Sequence, residues 1–140
     1  MERYKILPHT ADGKFQAFGR TLEEAFENAA LATASLMWDW RKVEPKIAHD
    51  IRVAGRDRKQ LLVKFLGEII FLLDTQKFLL AAVDGLTIRE DGEGWVLEAK
   101  FWGDALCDRY EIHGNVKAVT YNEMTIEVAD GVVVQVVVDM

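Results

Sequence analysis

The strongest apolar signal in the chain is the run VVVQVVV at 132–138. A stretch this rich in branched side chains is costly to leave in water. It predicts a strand in the middle of a sheet, with at least one face covered. A second β-rich run precedes it across Ala129-Asp130-Gly131, and Asp-Gly is a strong short-range hairpin signal. The rest of the chain is expected to be arranged around this hairpin. It ends in Asp139-Met140, which places a side-chain carboxylate and a main-chain carboxylate almost in contact.

From the N-terminal side, residues 3–7 predict a short strand that stops at Pro8, which has no N–H to give to a ladder. His9-Thr10-Ala11-Asp12-Gly13 reads as a polar turn, and 14–18 as a second strand returning beside the first. Thr21 is placed to cap a helix, with Glu24 three residues on completing a capping box. Leu22, Phe26, Ala29, Thr33 and Leu36 recur at helical spacing, and Ala25, Ala30 and Met37 widen the stripe. This helix should lie against a sheet and give way around Trp38-Asp39-Trp40. Those tryptophans are either a plug at the core edge or a stacking platform for a nucleotide.

Residues 47–53 predict a strand with Ile47, Ile51 and Val53 on one side. His49 shares their parity, as a structural residue or a ligand. Gly55 turns the chain, and Asp57 caps a second helix with Gln60 in the reciprocal position. Leu61, Leu62, Phe65, Leu66, Ile69, Ile70, Leu72 and Leu73 make that helix broadly apolar, so it is expected to be the more buried of the two. Gly67 within it costs roughly 1 kcal/mol relative to alanine, and close packing against a neighbour is the expected reason for it. Residues 78–83 predict a strand, Asp84-Gly85 a turn into 86–89, and Asp91-Gly92-Glu93-Gly94 another tight turn. Trp95, Leu97, Ala99 and Phe101 alternate with Val96, Glu98, Lys100 and Trp102 as a long half-buried strand, broken at Gly103-Asp104. Residues 109–113 suggest one more strand. The whole is α+β: two helices covering one side of a largely antiparallel sheet or pair of sheets, in one domain over 1–140.

Composition narrows the possible functions. Half of the 140 residues are hydrophobic, enough for a core without disulfides. Cys107 is the single cysteine, which fits a reducing compartment, and the expected location is the cytoplasm. No apolar run approaches the ~20 residues that cross a bilayer, and the first residues carry no signal-peptide pattern, so no membrane association is expected. Twenty-three acidic against 17 basic side chains leave a net charge of −6. That disfavours tight nonspecific binding to a phosphate backbone and leaves a basic protein or a metal as partner. The densest basic stretch, Arg52, Arg56, Arg58 and Lys59, is either a solvated strand end and helix start or a docking patch.

Three familiar chemistries find no motif: there is no glycine-rich phosphate loop, no paired-cysteine zinc motif, and no nucleophile elbow, since the one serine, Ser35, falls inside the first helix. What remains is a pair of carboxylates far apart in sequence. If the strand ends carrying Asp12 and Asp139 abut, the two can share one hard cation, with an oxygen of Met140 as a third ligand and water completing the shell. Oxygen-only ligation suits calcium or magnesium. Otherwise Asp12 stabilises its own turn and Asp139 is merely terminal. His9 can point at the same place, to pin the turn, to support a metal, or to exchange a proton near neutral pH. Strand alternation puts Lys117, Val119 and Tyr121 on one side of the hairpin and Ala118, Thr120 and Asn122 on the other. Lys117 is a counter-charge for the acidic end or a surface lysine. A small metal-dependent phosphohydrolase acting through His9, Asp12 and Asp139 is an alternative reading of the same residues.

HTAD at 9–12, GRTLEEAFENAA at 19–30, LLVKFLGEIIFLLDT at 61–75, Trp102-Gly103, VKAVTYNEM at 116–124 and the final VVVDM occur in one order that covers nearly the whole chain. In this combination the chain resembles the archease family. Two departures stand out: Asn122 occupies the position where the family commonly has a histidine, and GKFQAFG follows HTAD where an aliphatic residue is usual. The resemblance implies an accessory protein of the RtcB-type RNA ligase, which joins tRNA exon halves using GTP and manganese through a guanylylated histidine of its own. An archease promotes that guanylylation and so multiple turnover, and is not itself an enzyme. RNA is then met only through the ligase, and the free protein is expected to be a monomer. The resemblance also implies a divalent-metal site at Asp12, Asp139 and Met140. Calcium is the expected ion in the isolated protein, with magnesium or manganese as alternatives. His9, Lys117, Tyr121 and Asn122 would be supporting residues.

Overall fold

The computed structural model describes residues 2–9 and 12–140, so Thr10 and Ala11 of the predicted turn lie outside the described residues. The described residues form seven strands and two long helices in the order β1 (Tyr4–Leu7), β2 (Gly13–Gly19), α1 (Leu22–Ser35), β3 (Ile47–Gly55), α2 (Arg58–Gln76), β4 (Phe78–Asp91), β5 (Gly94–Ala105), β6 (Ala118–Val128) and β7 (Val132–Asp139). They form two antiparallel sheets, β1-β2-β7-β6 and β3-β5-β4. The valine-rich β7 lies between β2 and β6, with Val132, Val134, Val136, Val137 and Val138 buried. The α+β expectation holds in its two-sheet form.

Both helices begin as the sequence predicts. The Thr21 hydroxyl accepts from the Glu24 N–H at 3.1 Å, and the Glu24 carboxylate reaches back one residue further, to the Arg20 N–H. At α2 the Asp57 carboxylate accepts from the Gln60 N–H at 2.8 Å, and the Gln60 side chain accepts from the Arg56 N–H. These contacts satisfy main-chain donors that a helix start leaves free.

The burial of the helices is the reverse of the sequence expectation. Nine of the 14 residues of α1 are buried, against six of the 19 of α2. The reason is side-chain size. Ala25, Ala29, Ala30, Ala32 and Ala34 let α1 pack on β2 and β7 of one sheet and on β4 of the other, whereas α2 turns Phe71 out to solvent at 58 % exposure. Gly67 is likewise not a packing glycine: a methyl group there would meet no atom within 4 Å outside its own helix.

Three strand boundaries also differ. Asp84-Gly85 does not end a strand. Asp84 faces Lys100 and Thr87 faces Glu98, so β4 runs on with one extra residue, a β-bulge that uses the positive φ of Gly85. Gly103-Asp104 does not break β5, which continues to Ala105. Gly103 is needed because a Cβ there would overlap the Leu79 carbonyl of β4. Residues 109–113 form no strand. Side chains anchor them instead: the Tyr110 hydroxyl donates to Asp104 at 2.6 Å, and Arg109 bridges Glu44 and Asp104 at 2.7 and 3.3 Å. The hydroxyl of Tyr110, then the Ala105 N–H, holds the Asp104 carboxyl below its ordinary value.

The tryptophans are structural. Trp38 is buried, and its indole N–H donates to the Leu80 carbonyl. Trp40 donates to the Tyr4 hydroxyl and carries the Arg41 guanidinium 4.4 Å from its ring centroid. His49 packs edge-on against Phe78 at 4.7 Å, which is a core contact. In the basic stretch, Arg58 lies over Trp95 and Arg56 pairs with Asp57.

Candidate functional site

The antiparallel register of β2 and β7 decides where the two sequence-distant carboxylates meet. Gly13 pairs with Val138 as the last step of that ladder. The next residues outward, Asp12 and Asp139, therefore emerge side by side at one end of the first sheet. On the other flank Asp139 pairs with Ala118 of β6, and its carbonyl accepts from the Lys117 N–H at 2.7 Å. Met140 folds back over Gly13, where an added Cβ would lie 2.9 Å from its sulfur. A side chain at position 13 would thus occupy the place of Met140, which gives the glycine that follows HTAD a steric purpose.

β6 makes the third wall, and it does so irregularly. Thr120 faces Val137, but the next pair is Thr125 with Gln135, so β6 advances five residues while β7 advances two. The extra residues bulge outward and leave Tyr121, Asn122 and Glu123 exposed. Simple alternation past Thr120, as read from the sequence, therefore fails. Glu123 takes a left-handed backbone with φ 52°, and the Gln135 amide donates to its carbonyl at 2.8 Å. From there its carboxylate reaches two partners. One oxygen lies 3.0 Å from His9 Nε2 and the other accepts from Lys14 Nζ at 3.1 Å. Lys14, then His9, holds the Glu123 carboxyl below its ordinary value.

An ionised carboxylate can only accept, so His9 Nε2 carries the proton of this contact. The other ring nitrogen, Nδ1, is buried with no hydrogen-bond partner among the described residues, and it lies 3.8 Å from Asp12 Oδ2. With the proton on Nε2 this is a lone pair beside a carboxylate: two acceptors with no donor between them among the described residues. Such a pair suits a cation or a proton, and it is the observation on which a metal at this end can be tested. The donors fit a hard divalent ion. Asp12 and Asp139 would supply carboxylate oxygens to such an ion and Met140 a main-chain oxygen, with water completing the shell. Among the described residues no three His, Cys, Asp or Glu side chains converge as a ligand set, so such a site draws on main-chain oxygen and solvent.

The residues singled out from sequence therefore divide. Asp12, Asp139, Met140 and His9 gather at one sheet end. Lys117 contributes its main-chain N–H there, while the ammonium that pairs with a carboxylate at this end is that of Lys14. Tyr121 is half exposed on the bulge, and the Asn122 N–H donates to the Thr120 hydroxyl. Glu123 and Lys14 were not singled out. The available signal was Glu123 as the one acid in the run 115–126; what hid it is that its partners are 109 and 114 residues away.

The description "Archease protein family" matches residues 4–140. The chain is 37 % identical over 145 residues to the protein archease of Methanosarcina barkeri (strain Fusaro / DSM 804), covering 99 % of this chain and 97 % of that one. It is 39 % identical over 142 residues to the protein archease of Pyrobaculum neutrophilum, covering 98 % and 95 %. Among solved structures, the solution structure of Methanobacterium thermoautotrophicum protein 1598 superposes with a TM-score of 0.85 at 31 % identity over the full length of both chains.

Proposed function

The chain belongs to the archease family, accessory factors of the RtcB-type RNA ligase rather than enzymes, and from that premise we propose that it promotes GTP-dependent guanylylation of the ligase and so its repeated turnover in tRNA exon joining. The observation that carries this reading is the β2–β7 register, which delivers Asp12 and Asp139 to one exposed sheet end. Around them Glu123, Lys14 and His9 form a hydrogen-bonded rim. A ligase site built for GTP and RNA ends is basic, and a protein of net charge −6 is drawn to it rather than to RNA. The exposed bulge of β6, with Tyr121 and Asn122, stands beside the acidic end and is available for contact.

Asp12, Asp139 and main-chain oxygen of Met140 would hold the divalent ion, calcium in the isolated protein, with magnesium or manganese as alternatives. A cation at that point supplies compensation for charge developing on a phosphoryl group. The chain's own residues set the position of the carboxylates, keep Met140 over Gly13 and present the tip to the partner. The cytoplasm is the proposed location.

The test is RNA joining at limiting ligase with GTP and manganese. Adding the protein should raise product from about one turnover per ligase to many, and Asp12→Ala and Asp139→Ala should keep the fold yet lose the stimulation. Full stimulation by both variants at matched concentration would refute the site. Nucleotide hydrolysis without ligase, abolished by Asp12→Ala, would overturn the accessory role in favour of a hydrolase.

A further inference from the structure

The first sheet has two faces, and its helices lie on only one of them. Phe15 and Ala17 of β2 and Val134 and Val136 of β7 are fully buried, and α1 packs on these strands. On the same side α2 packs on β6, whose Met124 and Ile126 join that core. The alternate residues of each strand point the other way, where no helix or second sheet of the described residues packs. The antiparallel register sets this open face in rows. Phe18 faces Val133, which faces Glu127. Gln16 faces Gln135, which faces Thr125. Lys14 faces Val137, which faces Thr120.

The rows change in chemistry along the strands. Beside the acidic tip, Lys14 is bound to Glu123. In the middle, the Gln16 amide donates to the Gln135 side-chain oxygen at 3.1 Å. Lys5 also faces this way, from edge strand β1 opposite Gln16. At the hairpin end, Phe18 and Val133 are half-buried and floor an open depression of about 420 Å³. Glu2, Glu127 and Asp130 rim it, and among the described residues no lysine or arginine lines it. All three acids are exposed, and no ion pair of the described residues engages them. An apolar floor with a rim of one sign fits a partner that is itself apolar and basic. From Lys14 to Phe18 the strand runs roughly 14 Å at ~3.4 Å per residue, so the face begins at the tip and leads away from it. A partner that receives the tip needs this kind of added surface, because a stable interface buries ~800 Å² on each side.

We propose that the open face of β2, β7 and β6 is the surface on which the ligase holds the protein while the acidic tip enters its site. The depression at Phe18 and Val133 takes an apolar side chain of the ligase flanked by lysine or arginine. The proposal rests on the accessory role given above and places a second contact at the opposite end of the sheet from Asp12 and Asp139.

Calorimetric titration of the whole protein into the cognate ligase, at low and at moderate salt, measures the docking. Stimulation of RNA joining is followed against protein concentration. Glu127→Lys with Asp130→Lys should weaken binding about 10-fold or more and flatten its salt dependence. Val133→Glu should weaken it by about the same factor. Thermal midpoints report whether each variant is folded, and the double variant, at two exposed positions, decides if Val133→Glu is not. Both should reach the wild-type plateau of stimulation once enough protein is added, because the tip is intact. Asp12→Ala should still bind and lose that plateau. Unchanged affinity in the double variant overturns the basic partner, and unchanged affinity in both overturns the docking face. A dimer of the free protein that Val133→Glu disperses gives the face to a second copy and equally overturns the proposal. Wild-type protein that neither binds nor stimulates the ligase refutes the accessory role itself, and the docking face falls with it.

Discussion

Two glycines that look alike in the sequence should respond to alanine with opposite signs. Gly67 lies in the middle of α2, where glycine costs helix stability through its backbone freedom, roughly 1 kcal/mol relative to alanine. The methyl group of Gly67→Ala meets nothing within 4 Å outside the helix, so no packing penalty offsets the gain. Unfolding entropy of about 2.1 cal/mol/K per residue amounts to roughly 0.3 kcal/mol/K for this length, so the midpoint should rise by about 3 °C. Gly103 lies in β5 with the Leu79 main chain pressed against it, and an added Cβ would also fall 2.8 Å from Phe78 Cζ. Backbone cannot yield as a flexible side chain does. Gly103→Ala should cost about 1–3 kcal/mol or more, a fall of roughly 3–10 °C. Thermal and urea unfolding of both variants, followed by far-ultraviolet circular dichroism, decides the matter. A destabilised Gly67→Ala would show that α2 is packed more tightly at that turn than described. A neutral Gly103→Ala would refute the close approach of β4 and β5.

Three further outcomes follow from particular contacts. Trp38→Phe removes the indole donor from the Leu80 carbonyl and leaves a void in the core, so the urea midpoint should drop by the equivalent of about 2–4 kcal/mol; a loss below about 1 kcal/mol would contradict that burial. Tyr110→Phe should be less stable than wild type at neutral pH, and the gap should close as pH falls. Asp104, lowered from 3.8 chiefly by the Tyr110 hydroxyl, contributes stability above that ordinary value and loses it as pH drops through its folded value. Rising pH dismantles the same pair from the other side, because Asp104 raises the Tyr110 hydroxyl and its contribution is lost once that group ionises. Equal pH profiles for the two proteins would refute the coupling. Gly13→Ala inserts a methyl against Met140, Val138 and Leu36 side chains at 2.9–3.0 Å. It should cost about 1–3 kcal/mol and weaken calcium or manganese binding in calorimetry by displacing Met140; wild-type affinity would show that Met140 has no part in the site.

The sequence by itself determined what depends on neighbours along the chain. The C-terminal hairpin, the valine strand at its centre, both helix starts and the Gly92-Glu93 turn between β4 and β5 all follow from local periodicity, side-chain capping and turn chemistry. The order of the motifs was enough to indicate the family. Tertiary structure alone decided the rest, because those features depend on residues far apart in sequence. The burial of α1 reflects two sheets closing on its alanines, which no hydrophobicity pattern of α1 could weigh against the greasier α2. The continuation of β4 through Asp84-Gly85 depends on the pairing demands of β5, which turn a hairpin signal into a bulge. At the candidate site the sequence named Asp12 and Asp139, but only the β2–β7 register joins them. Only the bulge in β6 brings Glu123 to a histidine 114 residues away. Register and bulges are set by partners across the sheet, and a linear pattern carries no record of which partner a strand will find.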